Sequence, residues 1–201
     1  MKIQALIVLP VILATAGCLG GEPTEGEVLA RAFAAAVEND GAYGPKGQLA
    51  LDQLDAMSGQ SVTSESNIPT SSVSYSGYMG IGQADDGVLG DMEIVATTSG
   101  MGSFDGTVGN FVDESGSSVD GALTISSGSI DGSVDPEEQW QIGASIGGTL
   151  DRGNGEEAFS GSLSGEFIGA NGEHVSGEVR EFVQVGNTSS FETVGYFGVS
   201  Q

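Results

Sequence analysis

The stretch "SGEFIGANGEHVSGEV", residues 164–179, holds the only histidine of the chain, His174, among four glycines. A glycine-rich loop beside an imidazole could cradle a phosphate or lend a base. The spacing does not fit that chemistry: it is not G-x-G-x-x-G, and no helical pattern follows to present its N-terminus to an anion. Asn171-Gly172 between two alternating runs is instead a hairpin signal. His174 is expected just past that turn and exposed. Other chemistries fail on residue type. His174 and Cys18 are each the single residue of their kind, so a zinc set lacks ligands. Serines abound, but no G-x-S-x-G elbow occurs, and His174 is the only imidazole base on offer. The paired acids Asp85-Asp86, Glu137-Glu138 and Glu156-Glu157 have the residue types of a glycosidase, yet all fall in turn-like segments. "DRGNGEE", 151–157, offers oxygen ligands without the spacing of a calcium loop. The chain is therefore expected to have no catalytic residues, no metal and no cofactor.

Cys18 carries the clearest chemistry. Residues 1–17 have Lys2 followed by an apolar run interrupted by Pro10, too short for a comfortable span of about 20 residues, and they read as a secretory signal peptide. "TAGC", 15–18, resembles the lipobox of bacterial lipoproteins, with Thr15 where leucine is usual. Small residues before a cysteine admit the peptidase, and the thiol forms the thioether to lipid. Two or three acyl chains anchor stably where one does not. Leu19 in place of aspartate favours the outer membrane. The expectation is a lipid-anchored protein, lipidated at Cys18, with residues 18–26 as a tether.

Removal of residues 1–17 leaves four basic residues, Arg31, Lys46, Arg152 and Arg180, against 28 acidic ones: a formal charge of −24 where the whole chain carries −23. Phosphate backbones would be repelled, so nucleic acid is excluded as a partner. Such charge also makes self-repulsion salt-sensitive. The acids gather at 85–86, 113–114, 135–138 and 151–157. Asp113, Glu114, Glu137 and Glu138 are the candidate partner-facing residues. The first reading of these charges is a solvated surface, with attraction to a basic partner as the alternative.

These residues must be positioned by elements of two kinds. In "TEGEVLARAFAAAVENDG", Thr24 and Glu27 match a capping box, and Leu29, Ala32, Phe33, Ala36 and Val37 form one helical stripe. The spacing predicts a helix over 25–39 and a second through Leu51, Leu54 and Met57, so 27–57 is a helical segment. Residues 58–71 are polar and read as a linker. From Val73 the period becomes two: Val73, Tyr75, Met79, Ile81; Met92, Ile94, Ala96; Val119, Leu123, Ile125; Trp140, Ile142, Ala144, Ile146; Phe159, Leu163, Phe167. Apolar-in, polar-out alternation marks half-buried antiparallel strands. The stretch 72–201 has room for eight or nine of them. Glycine within strands suits a sheet that bends to close, so a mainly β fold is predicted: a soluble antiparallel barrel of eight to nine strands, ahead of a sandwich. Aromatics are only 6% of residues, too few for the girdles of a membrane-spanning barrel. Residues 70–201 are expected to fold alone.

"FSGSLSGEFIGANGEHVSGEV" (159–179) resembles the barrel signature of transferrin-binding protein B and its relatives. "IPTSSVSYSGYM" (68–79) resembles the entry to that barrel, and "GSFDGTVGNF" (102–111) with "VDGALTISSGSIDGSV" (119–134) resembles its middle strands. The resemblance covers about 68–200 and implies an eight-stranded barrel on an outer-membrane or surface lipoprotein of a kind that holds host proteins, haem carriers or other ligands. That family has two lobes, each with a handle domain, whereas this chain has room for one barrel and a short helical N-terminus. The resemblance carries fold and location, and transfers no binding residue. The function expected is capture of an unknown protein or small-molecule ligand at the barrel loops or mouth; the alternative is a structural envelope lipoprotein without a specific ligand.

Overall fold

A computed structural model describes residues 25–83, 86–98, 102–130, 141–153, 155–185 and 193–201. Cys18, Thr24, Glu137, Glu138 and Trp140 lie outside the described residues.

Helix α1 spans Glu25–Asp40 and α2 spans Gly44–Met57. The first agrees with the expected 25–39. It ends where Gly41 adopts φ 67°, with the Gly41 N–H bonded to the Val37 carbonyl at 3.0 Å. A left-handed glycine directly after the last turn is how many helices stop. The second runs through Leu51, Leu54 and Met57 as expected and begins at Gly44, with Pro45 in its first turn. The two helices turn tightly about Gly47, where a Cβ would come within 2.3 Å of the Ala42 carbonyl oxygen.

Eight antiparallel strands close into one barrel in sequence order: β1 Val73–Gln83, β2 Asp86–Thr97, β3 Ser103–Asp113, β4 Ser118–Ile130, β5 Ile142–Asp151, β6 Glu156–Ile168, β7 His174–Val185 and β8 Thr193–Ser200. Strand β1 closes on β8 through pairs such as Met79 with Phe197. The inward positions are those the alternation predicts. Tyr75, Met79, Met92, Ile94, Leu123, Ile125, Ile146, Leu163 and Phe167 are all buried in one cluster. Outward positions of β3–β6 carry exposed Asp105, Thr107, Thr124, Ser126, Ser145, Thr149, Ser160 and Ser162. That is the reverse of a barrel whose apolar face looks out to lipid. No described helix is long and apolar enough to cross a membrane.

Glycine makes room for the rings inside. Phe197 lies over Gly165 and Gly177, and Phe111 lies over Gly90, so a large residue on one strand faces a small one on its neighbour. Small barrels fill their interior this way.

The helical hairpin packs on the outside of the wall. Ala30, Phe33, Ala34, Val37, Tyr43, Ala50 and Leu51 cluster with Leu89 and Tyr196, which point outward from β2 and β8. Phe33 stacks between Tyr43 and Tyr196, with ring centroids 5.1 and 5.2 Å away. Lys46 of α2 adds an ion pair of 2.8 Å with Asp91 and donates to the Asn110 carbonyl, while the Asn110 amide donates to Asp91 at 3.1 Å.

The barrel has two unlike ends. At one lie the C-terminal ends of β1, β3, β5 and β7 and the starts of β2, β4, β6 and β8; this is the turn end. At the other lie the opposite ends of the same strands, together with residues 60–69; this is the strap end. Residues 58–71, expected as a linker, run across that end. Val62 bridges to Ile168, the Thr63 N–H donates to the Phe167 carbonyl at 2.8 Å, and Ile68 is buried in the barrel core.

Candidate functional site

The turn end places the predicted acids. In the β3–β4 turn, Asp113 folds back on its own loop: its Oδ1 accepts from the Ser117 N–H at 2.9 Å and from the Ser115 hydroxyl at 2.6 Å. These bonds favour the ionised form. The Ser115 hydroxyl, chiefly, and then the Ser117 and Ser115 N–H groups and Arg152 hold the Asp113 carboxyl below the usual carboxylate range, against a smaller opposing effect of burial. The Glu114 carbonyl accepts the Tyr43 N–H at 2.9 Å, which pins the corner between the two helices to this turn.

The β5–β6 turn repeats the device. Asp151 Oδ1 accepts the Gly153 N–H at 2.7 Å and the Gly155 N–H at 3.1 Å, and Glu156 and Glu157 open the next strand. Asp113 and Asp151 thus build their turns; beside them Glu156 is exposed, whereas Glu157 and Glu114 are half-buried, the Glu114 Oε1 fully so. Of the other predicted acids, Asp86 begins β2 at this same end, and Asp85 lies outside the described residues. Glu137 and Glu138 also lie outside them. The strands that flank that pair, β4 ending at Ile130 and β5 starting at Ile142, meet the strap end instead. Asp113 and Glu114 lie at the turn end, and the strand termini flanking Glu137 and Glu138 lie at the strap end.

The strap end holds polar residues the alternation did not reveal. Gln141, buried, joins two segments: its Nε2 donates to the Thr63 carbonyl at 2.9 Å and its Oε1 accepts the Phe167 N–H at 2.9 Å. The Thr63 hydroxyl donates to the Gly169 carbonyl at 2.7 Å. Tyr75 reaches up from the core to donate to the Gly172 carbonyl at 2.8 Å. Burial, above all, raises its phenol, with Glu173 adding to the rise and a hydrogen bond with Gln201 opposing it.

His174 is half-buried here rather than exposed, because α2 and the strap cover it. Its Nδ1 lies 2.7 Å from the Ser200 hydroxyl and its Nε2 3.2 Å from the Gln60 amide nitrogen. The Gln60 amide is oriented by its bond to the Ala56 carbonyl at 2.8 Å, which accepts only from nitrogen. An NH2 group therefore faces Nε2, so Nε2 is the bare nitrogen and Nδ1 carries the hydrogen. In that tautomer Nδ1–H donates to Ser200, and the imidazole is not wired as a base for the serine. Among the described residues no group of three or more His, Cys, Asp or Glu is placed to hold a metal ion.

Fold and site together define a class: a small, closed, eight-stranded antiparallel barrel, filled with apolar side chains, buttressed outside by a helical hairpin, strapped at one end and acidic in its turns at the other. No family model, no curated protein and no solved structure matches the chain.

Proposed function

We propose that the chain is a lipid-anchored envelope binding protein, held to the outer membrane through Cys18, which offers the turn end of its barrel to a protein or small-molecule partner. The observation that carries this reading is the inequality of the two ends. The strap end is tied by its own chain, through Val62, Thr63, Gln141 and Tyr75. The turn end sets Glu114, Glu156 and Glu157 around turns that Asp113 and Asp151 hold in shape. The resemblance of 68–200 to the transferrin-binding barrel supports the same reading, and the eight strands agree with it. With Met79, Met92, Phe104, Phe111 and Phe167 filling the interior, the partner is held by loops and not by a central cavity. That filled interior also favours the second reading, a structural envelope lipoprotein.

Capture on the immobilised mature protein decides between them. A partner taken up by the wild type at low salt, and lost on changing Glu114, Glu156 and Glu157 together to glutamine, supports recognition at the turn end. Long-range attraction chiefly speeds association, so the on-rate should fall steeply as salt shrinks the Debye length to about 10 Å near 0.1 M. Equal capture by both proteins, indifferent to salt, rejects electrostatic recognition there.

The anchor has its own test. Cys18→Ala is expected to move the protein from the membrane to the soluble fraction, with the acylated mass gone. A variant that still acquires the acylated mass and sediments with membranes excludes Cys18 as the anchor.

A further inference from the structure

The hydrogen bonds around His174 form a chain whose direction is fixed at both ends. Gln60 Nε2 donates to the Ala56 carbonyl and faces His174 Nε2; His174 Nδ1–H donates to the Ser200 hydroxyl. Gln53 Nε2 donates to the same hydroxyl at 3.1 Å and to the Ser76 carbonyl at 3.0 Å. One imidazole thus joins the start of the strap, the end of α2 and the barrel strands β1, β7 and β8. The chain is complete only if the ring is neutral.

We propose that His174 is a proton-operated latch that holds the 60–69 strap across the barrel end, closed while the imidazole is neutral and released when it is charged. A charged ring carries a hydrogen on Nε2, and that hydrogen meets the Gln60 NH2 group: two donors with no acceptor between them. Turning the Gln60 amide to offer its oxygen breaks the bond to Ala56. Either way the strap loses a tie at its first residue. The remaining ties include the Val62–Ile168 bridge, the Thr63 bonds, the Gly169 N–H to Ser61 carbonyl bond of 2.9 Å and, further along, the Asn67 amide to Ala170 carbonyl bond of 3.0 Å and buried Ile68, and they open from the Gln60 end.

The sign follows from proton count. The closed form excludes the second imidazole proton and the open form admits it, so falling pH favours opening. Imidazole is the side chain that ordinarily changes charge between about pH 5 and 8. The ring meets the Gln60 amide of the strap and the Ser200 hydroxyl of β8, with the Gln53 amide of α2 bonded in turn to that hydroxyl and to the Ser76 carbonyl of β1; the charged group beside it is Glu173 of the β6–β7 turn. Glu173 is held below the usual carboxylate range mainly by the Asn171 N–H and amide, and least by His174. It precedes His174 in the chain and accompanies it in both forms, so it does not decide which way the latch works. What opening exposes is the covered end of the core, with Ile68, Tyr75 and Phe167.

Amide hydrogen exchange on the mature protein tests the latch, with rates corrected for the intrinsic effect of pH. Between about pH 7.5 and about pH 5, protection of the Thr63 and Gly169 amides should fall about tenfold, the scale of one lost hydrogen bond. His174→Gln, which cannot charge, should show a pH-independent strap. Gln60→Glu puts a carboxylate opposite Nε2 and should reverse the response, with protection rising as pH falls. Barrel amides of β5 and β6 should hold their protection throughout, which separates strap release from unfolding. Nitrogen shifts of the ring at neutral pH should report the Nδ1–H tautomer. Unchanged strap protection in the wild type, the same pH response in His174→Gln, or an Nε2–H ring would overturn the proposal.

Discussion

Gly177→Ala is expected to destabilise the barrel by about 3 kcal/mol or more, at the upper end of what overpacking costs. The added methyl has nowhere to go. Its carbon would stand 2.1 Å from the Ser164 carbonyl oxygen, 2.6 Å from Phe197 Cε1 and 2.7 Å from Gly165 Cα. Two of those three atoms are backbone of the paired strand, which cannot swing aside as a side chain does. The ring of Phe197 also lies close over Gly165, where a Cβ would come within 2.9 Å of its Cζ. Relief must come from parting β6 and β7 in the middle of their ladder, where Gly165 faces Gly177. The control is Gly143→Ala on β5, where the nearest atom to a new Cβ is Ser129 Oγ at 3.9 Å. There the methyl makes only an ordinary van der Waals contact, and a strand alanine in place of glycine restricts the unfolded chain, for a gain of about 0.4–1 kcal/mol. Urea midpoints of the two variants should therefore move in opposite directions. A Gly177→Ala midpoint at or above wild type would mean that the Phe197 packing is wrong.

The contrast also shows which part of the fold the sequence makes legible. Period two announces the strands and most of the interior, since Tyr75, Met79, Leu123, Ile146 and Leu163 sit where alternation puts them. It loses the phase at bulges. Counting by twos from buried Val108 would send Phe111 outward, yet Phe111 is buried, because the register of β3 with β4 shifts between them and Asn110 takes φ 51°. An extra residue in one strand resets which side chains face in. The Gly109-Asn110 pair was the available sign, as asparagine tolerates the left-handed region. A second loss is on the outer wall. Leu89 beside Val88, and Tyr196 beside Phe197, break the alternation with two apolar residues in a row. Such doublets mark strands buried on both faces, and they lie where α1 and α2 dock. The docking surface was thus written in the sequence as an irregularity.

The strap was not legible at all. "SGQSVTSESNIPTSS" has the composition of a linker, and of its two buried members, Thr63 and Ile68, the more deeply buried, Thr63, is polar. Burial there rests on satisfied hydrogen bonds, which composition does not encode. His174 was misplaced for the same reason: the residues that cover it come from segments more than a hundred positions away, such as Gln60. At the turn end, the reading of acids in turns was right for Asp113, Glu114 and Asp151, but it could not tell an acid that builds its turn from one that is free to meet a partner. That distinction needed the bonds from Ser115, Ser117, Gly153 and Gly155.

Shortening the chain from its N-terminal side tests how far the barrel depends on what covers it. Three proteins are compared: residues 19–201, 58–201 and 70–201. All three are expected to give a β-type circular dichroism spectrum and one cooperative transition, since the closed ladder of eight strands lies within 70–201. Their stabilities should fall in that order. Removing the helices uncovers Leu89 and Tyr196, which are 0% and 4% exposed in the whole chain, along with the half-buried Tyr78 and Val112. Losing burial of the first two costs about 3–6 kcal/mol gross, partly offset because the helical residues no longer have to be ordered, for a net loss of about 2 kcal/mol or more. The uncovered patch is contiguous and apolar, so 58–201 should also self-associate at high concentration. Removing the strap as well takes Ile68 out of the core and leaves the Gly169 N–H, the Phe167 carbonyl and the Gln141 amide to water. An emptied isoleucine site costs about 2–5 kcal/mol in a closed core, and less here because it lies at an end that water can reach. A 70–201 protein with the urea midpoint of 19–201 would show that hairpin and strap are passengers on a self-sufficient barrel. A 70–201 protein with no cooperative transition would show that the closed sheet alone cannot fold and that the strap and hairpin belong to its core.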